Sequence, residues 1–143
     1  MPKLIAPPAS SLHIQKVMKG NRAKNTRPEL AFRSALIRQG LRGYRKHRKD
    51  IPGNPDVVFI RHKVAIFLNG CFWHRCPACD IPCPRTNSTY WKEKIDRNLR
   101  RDQKNYQQLR QLGWRVLVFW ECEIEKNVDS CAKRTYKAIW EAT

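Results

Sequence analysis

Four of the six cysteines, Cys71, Cys76, Cys79 and Cys83, crowd into one short stretch that also holds Pro77, Pro82 and Pro84. Prolines at that density forbid a helix or a central strand, so the segment keeps a shape only if something ties it. The N-terminal MPKLIAPPASS lacks the apolar stretch of a secretory leader, which makes a disulfide framework the unfavoured tie and metal ligation the favoured one. Cys76-x-x-Cys79 is a tight pair, Cys71 precedes it, and Cys122 closes a later apolar run. Four soft thiolates would hold Zn²⁺ tetrahedrally with no open position, a structural site. Cys83 is an alternative to Cys79, and spacing does not choose between them. A redox role for the pair would need it at a helix start in a thioredoxin-like unit, which the prolines oppose. Cys131 reads as core.

The elements around this segment are expected to form one domain, since 143 residues bury a modest core and little more. Residues 1–25 read as a basic arm, with a short helix over 12–18, and 26–143 as a single folded unit. Thr26, Pro28 and Glu29 have the spacing of a helix start with a capping box. Leu30, Ala31, Ala35, Leu36 and Ile37 supply an apolar face, and Gly40 stops the helix. The basic stretch 42–50 is a short strand or a loop. A Pro/Gly-rich turn at 51–55 leads to apolar strands at 57–60 and 64–68, close enough to pair as a hairpin. Beyond the cysteines, Trp91, Ile95, Asn98, Leu99, Asp102, Tyr106, Leu109 and Leu112 recur at helical steps, and Gly113 ends that helix. The run 114–120 is nearly all apolar and is expected to be a central strand. A last helix over 126–141 turns Val128, Cys131, Thr135, Ile139 and Trp140 inward. This order predicts an α/β fold, a mixed β-sheet flanked by helices.

Charge points to the partner. Lys and Arg number 29 against 12 acids, a net of +17. The excess is uneven: residues 1–50 hold thirteen cations against Glu29 and Asp50, a net of +11. A polyanion is implied, with nucleic acid the first candidate, because Lys and Arg neutralise phosphates and release condensed counterions. No apolar run reaches the roughly 20 residues of a membrane span, and no basic amphipathic helix with an open apolar face suggests a membrane surface.

Asp56 is the one carboxylate between Asp50 and Asp80, and it begins an apolar strand. It reads either as an ordinary strand-start Asp or as a Mg²⁺ ligand. In a domain of this charge, an acid placed near phosphate repels its substrate unless it holds a cation that polarises phosphate and activates water. His74 reads as a surface residue, a further zinc ligand, or a general acid/base at a phosphate. Asn69, at the end of the preceding strand, could orient water or phosphate. Phe72, Trp73 and Trp91 are ordinarily core. Rings beside a metal-tied loop could also wedge between base pairs, and Phe72 and Trp73, being consecutive, do not easily share one core.

With these pieces in order, the chain resembles the very short patch repair (Vsr) DNA mismatch endonucleases over most of its length, from about Asn21 to Cys122. The marks are Arg22-Ala23-Lys24-Asn25-Thr26-Arg27-Pro28-Glu29, Pro52-Gly53-Asn54-Pro55-Asp56 and Asn69-Gly70-Cys71-Phe72-Trp73-His74. They continue with Tyr90-Trp91-Lys92-Glu93-Lys94-Ile95, Leu112-Gly113-Trp114-Arg115-Val116 and Trp120-Glu121-Cys122. The resemblance implies a restriction-endonuclease-like fold with a structural zinc, and an enzyme that nicks duplex DNA beside a T·G mismatch. It implies Asp56 and the Leu68 backbone carbonyl as Mg²⁺ ligands, and His74 as the histidine that helps activate the attacking water. Glu29 becomes an acid near the active site, and Phe72, Trp73 and Trp91 an aromatic wedge. The basic arm would clasp the duplex.

Two departures stand out. Leu68-Asn69 replaces the Thr-His pair of a well-studied form, and Asn69 can hydrogen-bond but cannot shuttle a proton. Cys76 stands where that form has a His, and the next ligand falls at Cys79 only after a one-residue shift. The alternatives to mismatch nicking are a related nuclease without strict mismatch preference, in restriction or mobile-element biology, and a non-catalytic zinc-stabilised DNA-binding module. A monomer in the bacterial cytoplasm, at the nucleoid, is expected, and no stimulating repair protein can be named from the sequence.

Overall fold

The computed structural model describes residues 25–79 and 81–141. The expected basic arm, Asn25 apart, and its short helix lie outside them. In chain order the elements are α1 (Arg27–Arg38), β1 (Arg45–Lys46), β2 (Val57–Phe59), β3 (Val64–Asn69), α2 (Ser88–Gln111), β4 (Arg115–Trp120) and α3 (Glu121–Trp140). The sheet runs β1-β2-β3-β4, antiparallel up to β3, with β4 parallel to β3. The expected mixed sheet and hairpin are both present.

Alternation along the strands separates two cores. Val57, Phe59, Val64, Ile66 and Phe119 face one way and pack with Phe32, Leu36, Ile124 and Ile139 of α1 and α3. Val58, Ala65 and Phe67 face the other way, against Tyr106 and Leu109 of α2. The sheet therefore lies between two helical layers. Among the described residues no helix is long and apolar enough to cross a membrane.

Several expectations need correction. Among the described residues the run 114–120 is an edge strand paired only with β3; its apolar character comes from helices over both faces, with Leu117 and Phe119 on one side and Val116 and Val118 on the other. On α1 the inward residues are Phe32, Ala35 and Leu36, at one helical face, while Leu30 and Ile37 are half exposed. Thr26 occupies the N-cap position without a side-chain hydrogen bond, and Glu29 reaches past it to the N–H of Asn25 (3.1 Å). Ile60 lies in the hairpin turn rather than in β2. Leu112 lies beyond α2 and is exposed. The last helix begins at Glu121, and the backbone breaks at Asn127, whose Oδ1 accepts the N–H of Ser130 (3.1 Å) and caps the second piece. Trp140 turns outward, 61% exposed, and Cys131 is core.

Candidate active site and cysteine cluster

Parallel pairing of β3 with β4 decides where the functional residues meet. Asn69 and Trp120 end the two strands as register partners, so the chain leaves the sheet at adjacent points and delivers Cys71 beside Cys122. The sulfurs of Cys71, Cys76, Cys79 and Cys122 all lie within 4.8 Å of one another, with Cys76 and Cys122 3.6 Å apart. Sulfurs at tetrahedral corners about 2.3 Å from a zinc ion would be about 3.8 Å apart, so the donor set fits that ion. Cys83 sits elsewhere, packed on the aromatic cluster and 3.9 Å from a guanidinium nitrogen of Arg75. Burial drives the Cys71 thiol strongly upward and that of Cys122 up to about 11. Burial also raises Cys76, but the N–H groups of Cys79 and Ala78, with the neighbouring thiols, outweigh it and leave that group lowered.

The same strand ends open a cleft of about 860 Å³, lined among others by Glu29, Asp56, Leu68, Asn69, His74 and Asp102. Asp56 is fixed from two sides. Its N–H donates to the Ile66 carbonyl (3.0 Å), and its Oδ2 accepts the N–H of Leu68 (2.7 Å). In an extended strand the N–H and C=O of one residue share an edge, so the Leu68 carbonyl opens on the Asp56 side of β3. Oδ1 of Asp56 accepts no hydrogen bond among the described residues. Burial pushes this carboxyl up to about 6, against the stabilising N–H of Leu68; the charge of Glu29 adds to the rise, while His47 and His74 oppose it.

Helix α2 positions the other wall. Asn98, Asp102 and Tyr106 recur every four residues on its inward face. Asn98 donates to the carbonyl of Trp73 (3.1 Å). Asp102 Oδ2 lies 2.5 Å from Nδ1 of His74. The hydroxyl of Tyr106 accepts from the amide of Asn69 (2.9 Å), and burial pushes its phenol up to about 12. One helix face thus spaces Trp73, His74 and Asn69. A carboxylate against Nδ1 accepts a hydrogen bond from Nδ1–H and so keeps the proton on that nitrogen, leaving Nε2 as the basic atom. The pairing roles of Asp102, Asn98 and Tyr106 went unread in the sequence; the available signal was polar groups repeating every fourth position on an apolar stripe.

His47 was also unread. Its Nε2 lies 3.0 Å from Glu29 Oε2, which also faces Arg33 at 3.6 Å. The three expected wedge rings form one cluster, with Phe72–Trp73, Phe72–Trp91 and Trp73–Trp91 centroids 5.2, 5.7 and 5.6 Å apart. Phe72 is 6% and Trp91 2% exposed. Consecutive Phe72 and Trp73 therefore do share a core, because the turn after β3 folds both rings onto Trp91.

A protein-family model described as DNA mismatch endonuclease Vsr matches residues 11–79. The type II nicking enzyme V.XorIIP of Xanthomonas oryzae pv. oryzae is 47% identical over 109 residues, 76% of this chain and 79% of that protein. The type II nicking enzyme V.NmeAIP of Neisseria meningitidis is 41% identical over 121 residues, 83% of this chain and 84% of that one. The DNA mismatch endonuclease Vsr of Escherichia coli K12 is 38% identical over 109 residues, 76% of this chain and 69% of its own length.

Proposed function

The chain belongs to the Vsr family of DNA endonucleases, and on that footing we propose that it nicks one strand of duplex DNA beside a T·G mismatch by Mg²⁺-dependent phosphodiester hydrolysis. The observation that supports this reading most directly is that Asp56, with one unengaged oxygen, and His74, with Nδ1 held by Asp102, line the same trough.

Each residue has a stated task. Asp56 Oδ1 and the Leu68 carbonyl are two hard oxygen donors suited to Mg²⁺. A divalent cation held there supplies polarisation of the phosphate and a lowered pKa for water. His74, oriented by Asp102, takes the proton of the attacking water at Nε2. Asn69, held by Tyr106, stands where the departure from a Thr-His pair falls; its amide orients rather than shuttles. Glu29 contributes a second carboxylate to the trough. The Cys71, Cys76, Cys79 and Cys122 set is read as a structural zinc site on a restriction-endonuclease-like fold. Cations of residues 1–25 and of the single domain 26–143 bind the duplex as a monomer, and the aromatic cluster meets the mismatch through Trp73.

A second reading is favoured by two observations. The Xanthomonas oryzae and Neisseria meningitidis relatives are named nicking enzymes without mention of a mismatch, and Phe72 and Trp91 are buried, so their rings enter a duplex only after the cluster opens. Nicking without strict mismatch preference would then be the activity. Matched and T·G duplexes, with and without Mg²⁺ at fixed salt, separate the readings. Cleavage confined to T·G supports the first, and equal nicking of both replaces it with the second.

The His74–Asp102 pair makes its own prediction. Asp102→Asn can present its amide N–H to Nδ1, which moves the imidazole proton to Nε2 and removes the base. Single-turnover nicking should fall by roughly 100-fold, the scale of general-base catalysis, with duplex affinity unchanged. A rate within about two-fold of the parent removes the pair from the chemistry.

A further inference from the structure

His47 contacts the Glu29 carboxylate through its side chain and the main chain of Asp56 through its backbone. Its backbone N–H donates to the Asp56 carbonyl (3.2 Å), and its imidazole Nε2 lies 3.0 Å from Oε2 of Glu29. The residue makes both contacts from a left-handed conformation, φ +51. For a residue with a Cβ that conformation is disfavoured and persists where surroundings enforce it. His47 immediately follows β1, whose Arg45 and Lys46 pair with Val58 and Val57, so it adjoins the residues that lead out of Asp56.

The far side of Glu29 is equally built. Oε2 accepts the N–H of Asn25 (3.1 Å). The guanidinium of Arg33, 7% exposed, donates from Nη2 to Asn25 Oδ1 (2.7 Å) and sets Nη1, buried and without a hydrogen bond, 3.6 Å from Glu29. Every donor converges on Oε2, and Oε1 accepts none among the described residues. Glu29 thus resembles Asp56, with one oxygen pinned to the protein and the other left for the trough.

We propose that His47 is a positioning residue that fixes the spacing between the Glu29 and Asp56 carboxylates, and through it the affinity of the trough for a divalent cation. The inference rests on Asp56 as the cation-holding residue, and goes beyond that reading by naming what holds the second acid at its distance. Two carboxylates brought together repel, and a cation between them is bound well only if they are prevented from parting. Glu29 enters from the first turn of α1 and Asp56 from the position before β2, so their separation depends on how these two elements are tied at this end. His47 is the described residue that bonds to both.

Removal of a residue that orients metal ligands typically costs 10–100-fold in affinity or activity. His47→Ala should raise the Mg²⁺ concentration for half-maximal nicking at least ten-fold while KM for the duplex stays within about two-fold. Mn²⁺ titrated calorimetrically into the DNA-free protein should lose affinity by a similar factor. His47→Gln, which keeps an N–H donor near Nε2, should recover most of the loss. A purely structural residue would lower the melting temperature and leave both metal readouts unmoved. That result, in His47→Ala or, if it does not fold, in His47→Leu, which keeps bulk but has no donor, overturns the proposal. Asp56→Ala separates the two levels: if it still nicks, the Asp56 reading itself fails, whereas loss of nicking there with normal metal dependence in His47→Ala sinks only the role of His47.

Discussion

Asp56→Asn will yield a protein that binds duplex DNA as well as the parent, fails to nick it, and is more stable than the parent above neutral pH. The loss of nicking follows from the trough: an amide oxygen carries no charge to hold a divalent cation against a phosphate. Loss of several kcal/mol of charge stabilisation at the transition state corresponds to roughly 10³-fold or more in rate. Binding survives, because affinity comes from cations elsewhere on a chain of net charge +17. The stability gain follows from burial, which lifts this carboxyl from its ordinary 3.8 to about 6. Above the folded-state value the native protein keeps a charged group that the unfolded chain solvates better. Between 6 and 3.8 the native state binds a proton the unfolded state does not, so this group's contribution to stability grows as pH falls through that window and levels off below it. The cost of the charged form is on the order of 1–3 kcal/mol, and the amide avoids it while its oxygen still accepts the N–H of Leu68. Thermal unfolding at pH 8 and pH 4 checks the sign: the variant should gain several degrees at the higher pH and little at the lower. Mg²⁺ should narrow the gap at pH 8 by stabilising only the parent. An Asn variant that nicks at the parental rate would remove Asp56 from the mechanism.

How much of this was legible in the sequence depends on which force sets each feature. The hairpin, the long helix and the final helix follow from local periodicity, and they lie close to where the pattern puts them. The edge position of β4 did not follow, because a run covered by helices on both faces has the same composition as a central strand. Trp140 and Ile37 fit a helical stripe and still face solvent, since the stripe tells the direction of a core but not its width. In the site, Asp56, His74 and the cysteines were accessible as unusual residue types at short spacing. His47 and Asp102 were not, because each gains its partner only when distant elements meet: β1 against α1 for His47, and α2 against the turn after β3 for Asp102. Choosing Cys79 over Cys83 for the cluster likewise needed the path of the loop, which the prolines bend but do not specify.

The cysteine cluster predicts the largest effect on stability. Cys122→Ser should lower bound zinc well below one per chain and shift thermal unfolding down by more than about 10 °C. Structural zinc sites contribute apparent binding energies of about 10–16 kcal/mol at neutral pH, comparable to the whole stability of a domain, about 5–15 kcal/mol. A few kcal/mol of net loss already moves the midpoint by that amount in a domain of this size. Activity should fall with it, because the chain from Cys71 to Cys79 contains Phe72, Trp73 and His74; without the clamp, that turn is left to the contacts of Asp102 and Asn98 and to ring packing on Trp91 for its hold on α2. Cys83→Ser is the matched control. Its sulfur lies outside the cluster, on the aromatic side of the loop, so the exchange should keep the zinc content and shift unfolding by no more than a few degrees. Reversal of the two results would make Cys83 the ligand. Parental stability in both variants, in folded protein that carries no zinc, would mean that the four neighbouring thiols are held by packing alone. The strong burial of Cys71 and Cys76 would then be hydrophobic in origin, and the loop's shape would be owed to Trp91 rather than to a metal.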